Sequence, residues 1–138
     1  MPRKDLIHEA VKNALVRDGW TITADPYRIN YGEDRFYIDL AAELPFAAER
    51  DGKKIAVEIK SFIQRSPVHD LQEALGQYAL YLSILEELDP DRKLYLALGK
   101  ATFDEIRLMK AFTRVCERFG LALIIVSIET ETIEQWIE

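Results

Sequence analysis

The sequence predicts an α/β fold in which helices cover both faces of a mixed β-sheet, and three observations carry that expectation. Elements follow one another as helix, strand, strand, strand, helix, strand, helix, strand, helix. The pair Asp51-Gly52 separates two strand-like runs, and Lys93–Leu98 is a near-continuous apolar stretch. An early meander followed by strands that alternate with helices places helices on both sides of a mixed sheet.

From Asp5 to Arg17, Ile7, Ala10, Val11, Ala14 and Leu15 recur at helical spacing until Asp18-Gly19 stops them. Trp20–Ala24 is β-branched and aromatic and reads as a strand ended by Pro26. Phe36–Ala42 alternates Phe36, Ile38 and Leu40 against Tyr37, Asp39 and Ala41, which predicts a second strand. After Pro45, Phe46–Arg50 and Lys54–Phe62 flank Asp51-Gly52 as a hairpin, because both central positions of a tight turn favour residues that tolerate positive φ. Ile55–Phe62 is its third strand.

Ser66 or Pro67 opens a long helix with Val68, Leu71, Leu75, Tyr78, Leu82 and Leu85 on one stripe, ending at Asp89-Pro90. Lys93–Leu98, ending at Gly99, has the composition of a central strand covered on both faces. Thr102 caps a third helix carrying Phe103, Ile106, Met109, Phe112, Cys116 and Phe119 inward, and Gly120 ends it before the strand Leu121–Ser127. A short helix over roughly 130–137 is expected to close the chain, with Trp136 either exposed for a homodimer or packed on the sheet.

The 138 residues suit one domain spanning 1–138, since no linker, repeat or low-complexity tract divides them. Hydrophobic residues make up 49% and charged residues 30%, the balance of a folded soluble protein. The single cysteine, Cys116, cannot form an intrachain disulfide, which points to a reducing, cytoplasmic setting. No signal peptide or membrane-spanning run is expected. A net charge of -6 and a pI near 5.0 argue against nucleic-acid binding by bulk charge, so any DNA contact must be local.

Glu58 and Lys60 are two apart on the third strand and share one face, with Val57 and Ile59 on the other. If the Asp39 strand pairs alongside, two carboxylates and an ammonium share one surface. Two carboxylates can hold Mg²⁺ or Mn²⁺ with room for water and a phosphate, while the lysine offsets charge growing in the transition state of phosphodiester hydrolysis. The bland alternative is a solvated strand face with a surface ion pair of at most about 1 kcal/mol, because Glu-x-Lys recurs by chance roughly once in such a chain.

Asp39, eighteen residues, then Glu58-Ile59-Lys60, set in this element order, resembles the core of the PD-(D/E)XK nuclease superfamily, a restriction endonuclease-like fold. More narrowly, Asp39-Leu40-Ala41-Ala42-Glu43, Ile55-Ala56-Val57-Glu58-Ile59-Lys60-Ser61-Phe62 and Ala74-Leu75-Gly76-Gln77-Tyr78 resemble the XisH family of cyanobacterial fdxN element excision controlling factors. The resemblance implies Asp39 and Glu58 as metal ligands and Lys60 as the catalytic lysine. Gln77 and Tyr81 match a Gln-x-x-x-Tyr feature of RecB-like members, which implies Gln77 as a further catalytic-site residue; four apart on one helix face, they could lean over the site, while Gln77 equally reads as a solvated helix flank and Tyr81 as a half-buried core aromatic. Glu9 falls where many members carry a further acidic ligand, though away from the apolar helix face. Ile38 replaces the motif's proline, a departure from the pattern.

Two functions follow from the resemblance: a Mg²⁺-dependent DNA endonuclease in programmed excision, or a non-catalytic factor that binds DNA or an XisI-like partner and controls a site-specific recombinase. Candidate DNA contacts are Arg65 beside the lysine strand, Tyr81, and Lys110 and Arg114 in a basic stripe with Arg107 and Arg118; the stripe equally fits a solvated helix face. His8, His69 and Cys116 have no zinc-ligand spacing, and no phosphate loop or nucleophile elbow appears.

Overall fold

The computed structural model describes residues 3–44, 52–62 and 66–138. The elements are α1 (Arg3–Arg17), β1 (Thr21–Ala24), β2 (Tyr27–Tyr31), β3 (Asp34–Ile38), β4 (Leu40–Leu44), β5 (Lys53–Lys60), α2 (Pro67–Leu88), β6 (Arg92–Gly99), α3 (Lys100–Ile106), α4 (Lys110–Phe119), β7 (Leu123–Ser127) and β8 (Thr132–Ile137). Six strands form one mixed sheet in the order β1-β4-β5-β6-β7-β8, parallel only across β5, β6 and β7. A separate ribbon pairs β2 with β3.

The period-two alternation of β5 divides the core. Ile55, Val57 and Ile59 face a cluster with Ile7, Val11 and Leu15 of α1, while Ala56 faces one with Leu71, Tyr78 and Leu85 of α2 and Phe103, Ile106 and Phe112 of α3 and α4. Helices thus flank both faces of the mixed sheet, as expected. Both crossovers between the parallel strands run over the α2 side, as a strand order that advances in one direction requires of crossovers of one hand. No described helix is long and apolar enough to cross a membrane.

Tyr78 joins these layers by its hydroxyl, which accepts from the Ala122 N–H at 3.3 Å and donates to the Leu94 carbonyl at 3.4 Å in a buried setting. Tyr78→Phe removes the acceptor of a buried N–H, so denaturant unfolding is expected to show a loss of about 1–3 kcal/mol. An unchanged midpoint would refute that role.

Three expectations need correction. The chain ends in strand β8, not a helix: a bulge at the Ile125/Val126 register puts Glu134 out of the ladder, so Ile133 and Trp136 reach the α1-side core together. Their spacing of three imitates a helix. Trp136 packs on the sheet, 5.8 Å from Trp20 and edge-on to Tyr95 at 5.1 Å between ring centroids.

The third helix is two helices. Phe103 and Phe112, nine residues apart, would point to opposite sides of one helix at 3.6 residues per turn. The break between Ile106 and Lys110 turns both rings inward, 6.4 Å apart and edge-to-face. Phe119, expected inside, is exposed, and Thr102 lies within α3 with its hydroxyl aimed at the Ser61 carbonyl instead of capping.

The strand expected over Phe36–Ala42 splits at Asp39 into β3 and β4, which belong to different sheets. Strand β5 pairs with β4 in the register Leu44↔Lys53 on one edge and with β6 on the other. The expected hairpin segment Phe46–Arg50 and Asp51 lie outside the described residues.

Candidate functional site

Asp39 follows directly on β3 and precedes β4, and the β4–β5 register, continued by one step from Leu40↔Val57, sets it opposite Glu58. Here side chains take over from the backbone ladder. The Asp39 N–H donates to Glu58 Oε1 at 3.3 Å, and the Ile59 N–H donates to Asp39 Oδ2 at 2.8 Å. The strand breaks at Asp39 because the acceptors that join it to β5 are side-chain carboxylates, not the carbonyls of a backbone ladder.

Glu58 is 6% exposed, which excludes the solvated strand face. Burial first, then the adjacent Asp39 charge, pushes its carboxyl up to about 7, with Lys60 pulling the other way. Lys60 Nζ lies 3.7 Å from Glu58 Oε2 and 3.6 Å from Glu73 Oε1, so its charge is shared between two carboxylates.

These groups line a pocket of about 230 Å³ at the C-terminal end of β5, together with Ser61, Phe62, Asp70 and Gln77. Phe62 holds a left-handed backbone conformation, φ 52°, at the pocket wall. Gln77 Oε1 is buried with no hydrogen-bond partner among the described residues. A pocket rich in carboxylates that holds an unpaired amide oxygen suits a hard cation or a polar ligand more than an apolar one.

Asp39, Glu58, Lys60 and Gln77 therefore converge. Tyr81 is a core residue at 8% exposure, its hydroxyl raised by burial and then by the negative charges of Glu58 and Asp39; it is not a surface available to DNA. Glu9 is exposed and outside the pocket lining, to which α1 contributes Ile7. Lys110 and Arg114 are exposed on α4, opposite buried Phe112, and Arg65 lies outside the described residues. The Cys116 thiol is half-buried and pushed up to about 11 by burial, in keeping with a packing role.

Asp70 and Glu73 were not anticipated. With Gln77 they form an i, i+3, i+7 stripe on α2, legible in the sequence as a polar line beside the apolar one. No group of three or more His, Cys, Asp or Glu side chains among the described residues is arranged to hold a metal. Mg²⁺ nevertheless commonly takes one or two carboxylates and fills its remaining positions with water and substrate phosphate, so the Asp39–Glu58 pair fits such an ion.

The structure resembles two crystal structures over 97% of its length. One is an XisH family protein from Nostoc punctiforme, 36% identical, TM-score 0.87, matched over 100% of that chain. The other is a fdxN element excision controlling factor protein from Anabaena variabilis, 37% identical, TM-score 0.86, matched over 99% of that chain. No curated protein matches significantly. The XisH protein family model matches residues 1–134, and with these structural relatives it establishes that the chain belongs to the XisH family.

Proposed function

We propose that this protein is a divalent-metal-dependent DNA endonuclease with a PD-(D/E)XK, restriction endonuclease-like core, acting in excision of a DNA element. The observation that carries the reading is the meeting of Asp39 and Glu58 across the β4–β5 junction, beside Lys60, with Glu58 raised to about 7. Two carboxylates held against each other, with the neighbouring Lys60 ammonium shared with Glu73, form an electrostatic arrangement that a cation relieves.

Asp39 and Glu58 would hold Mg²⁺ or Mn²⁺, which when bound supplies Lewis-acid activation of water and of the phosphate. Lys60 offsets charge that develops on the phosphoryl oxygens. Gln77 presents its amide to the pocket and orients what enters it. Because α2 delivers Glu73 and Gln77 while β5 delivers Glu58 and Lys60, rigid elements set the site.

Nicking or cleavage of element-border and branched DNA with Mg²⁺ or Mn²⁺ tests this. Wild type is expected to cut, and Glu58→Ala and Lys60→Ala to lose at least about 100-fold. No cutting by wild type, or equal cutting by the variants, overturns the reading.

A second reading has the same fold serving as a non-catalytic factor that engages an XisI-like partner to control a site-specific recombinase. It is favoured by the net charge of -6 and by Lys60 being held between two carboxylates. The name of the Anabaena variabilis relative, a controlling factor, fits it too. Co-purification with such a partner, retained in Asp39→Ala, together with absent cleavage, selects it.

A further inference from the structure

The β2–β3 ribbon has two unlike faces. On the inner one Ile29 and Ile38 are buried and Tyr27 and Phe36 pack on the α2-side core. The Tyr27 hydroxyl donates to Asp89 Oδ2 at 2.9 Å, the Arg92 guanidinium lies 4.9 Å from the Tyr27 ring centre, and the Tyr31 hydroxyl donates to Glu87. These contacts anchor the ribbon to the C-terminal end of α2 and its cap. A Gly32-Glu33 turn, with Gly32 at φ 62°, closes it in two residues.

The outer face carries the register pairs Arg28↔Tyr37 and Asn30↔Arg35, all four exposed. Neither arginine makes an ion pair with a described residue. In a chain of net charge -6, this face has two guanidiniums, an amide and a phenol and no carboxylate. Its charge is complementary to a polyanion, and its donors match base edges: arginine to guanine, asparagine to adenine. A two-stranded ribbon also has the width that the major groove admits.

β3 runs directly into Asp39, with Tyr37 two and Arg35 four residues before it. At a strand rise of about 3.3 Å per residue they lie within roughly 7 and 13 Å of it along the chain. That span is comparable to the roughly 12 Å width of the major groove. The basic stripe of α4 has no such continuity with the site, and Arg107 at the end of α3 and Arg118 on α4 lie over the rings of Phe103 and Phe119 at 5.6 and 5.1 Å.

We propose that the outer face of the β2–β3 ribbon binds duplex DNA in the major groove through Arg28, Asn30, Arg35 and Tyr37 and sets which phosphate reaches Asp39. The inference rests on the DNA-directed reading above. The test is fluorescence anisotropy of the full chain with labelled element-border duplex in EDTA, where binding is separated from cleavage.

Arg28→Ala/Arg35→Ala is expected to bind at least about tenfold more weakly, with a log–log salt slope smaller by about two. Lys53→Ala/Lys54→Ala removes the same charge at the far end of β5 and is expected to stay within about twofold of wild type. Asn30→Asp puts a carboxylate on the face without disturbing the anchoring side and is expected to weaken binding likewise. Unaltered melting temperatures would tie these losses to the surface. Equal binding by Arg28→Ala/Arg35→Ala, or an equal loss in the lysine variant, overturns the ribbon assignment and leaves the DNA reading standing. Absence of any duplex binding by wild type overturns both.

Discussion

Replacing Glu58 with glutamine is expected to stabilise the metal-free protein by about 3 kcal/mol at pH 8 while removing the metal-dependent cleavage proposed above. The cause is a carboxyl buried at 6% exposure and raised from 4.5 to about 7. Between those two values the unfolded chain has released a proton that the folded chain keeps, so stability falls as pH rises through the window and levels off above about 7. Below about 4.5 the group contributes no pH dependence.

Glutamine has no proton to lose, and it keeps an oxygen to accept from the Asp39 N–H. Urea unfolding in EDTA from pH 4.5 to 8 should therefore give curves for wild type and Glu58→Gln that diverge upward through the window. On the proposed reading Mg²⁺ would bind the ionised form, so it should stabilise wild type more at pH 8 than at pH 5.5 and leave the variant unchanged. A wild-type stability that is flat across the window would contradict the raised carboxyl. Opposite signs for stability and activity would mark a strained functional site.

The second large effect falls on Asp39, where alanine and asparagine should separate structure from chemistry. The buried Ile59 N–H has the Asp39 carboxylate as its acceptor at 2.8 Å, so Asp39→Ala is expected to cost about 2 kcal/mol. An asparagine at this position would keep an oxygen acceptor and lose the charge that faces Glu58. Asp39→Asn is then expected to lower the Glu58 carboxyl by the part of its rise that the Asp39 charge causes, burial keeping the larger part, to be at least as stable as wild type near pH 8, and to lack the proposed metal-dependent activity like the alanine variant. Denaturant unfolding and carboxyl NMR titration read the two effects. If Asp39→Ala unfolds at the wild-type midpoint, the carboxylate does not hold the strand junction.

Much of the site was legible because it depends on spacing within one element. Glu58 and Lys60 share a face by the period of a strand, and Gln77 falls on α2 beside the apolar stripe that binds the sheet. Asp70 and Glu73 are as legible by helical spacing, but neither belongs to the Asp39–Glu58–Lys60 motif that marks the site. The ribbon was missed although Tyr27–Tyr31 alternates and Gly32-Glu33 offers a two-residue turn. Pro26 and the stronger pattern after Phe36 mask it.

The sequence alone determined the parts governed by near neighbours: the first two helices, the buried central strand Lys93–Leu98, the Gly120 helix stop, and the pairing of face and charge at Glu58 and Lys60. Tertiary structure decided the rest, because each such outcome depends on groups distant in sequence. The far edge of β7 took the last segment as a strand, where a bulge let Ile133 and Trp136 share a face as helical residues do. The contact of Phe103 with Phe112 broke one helix into two. The carboxylates of Asp39 and Glu58 became a site, not a solvated face, only when β4 and β5 came side by side and each carboxylate took over a backbone N–H of the opposite strand.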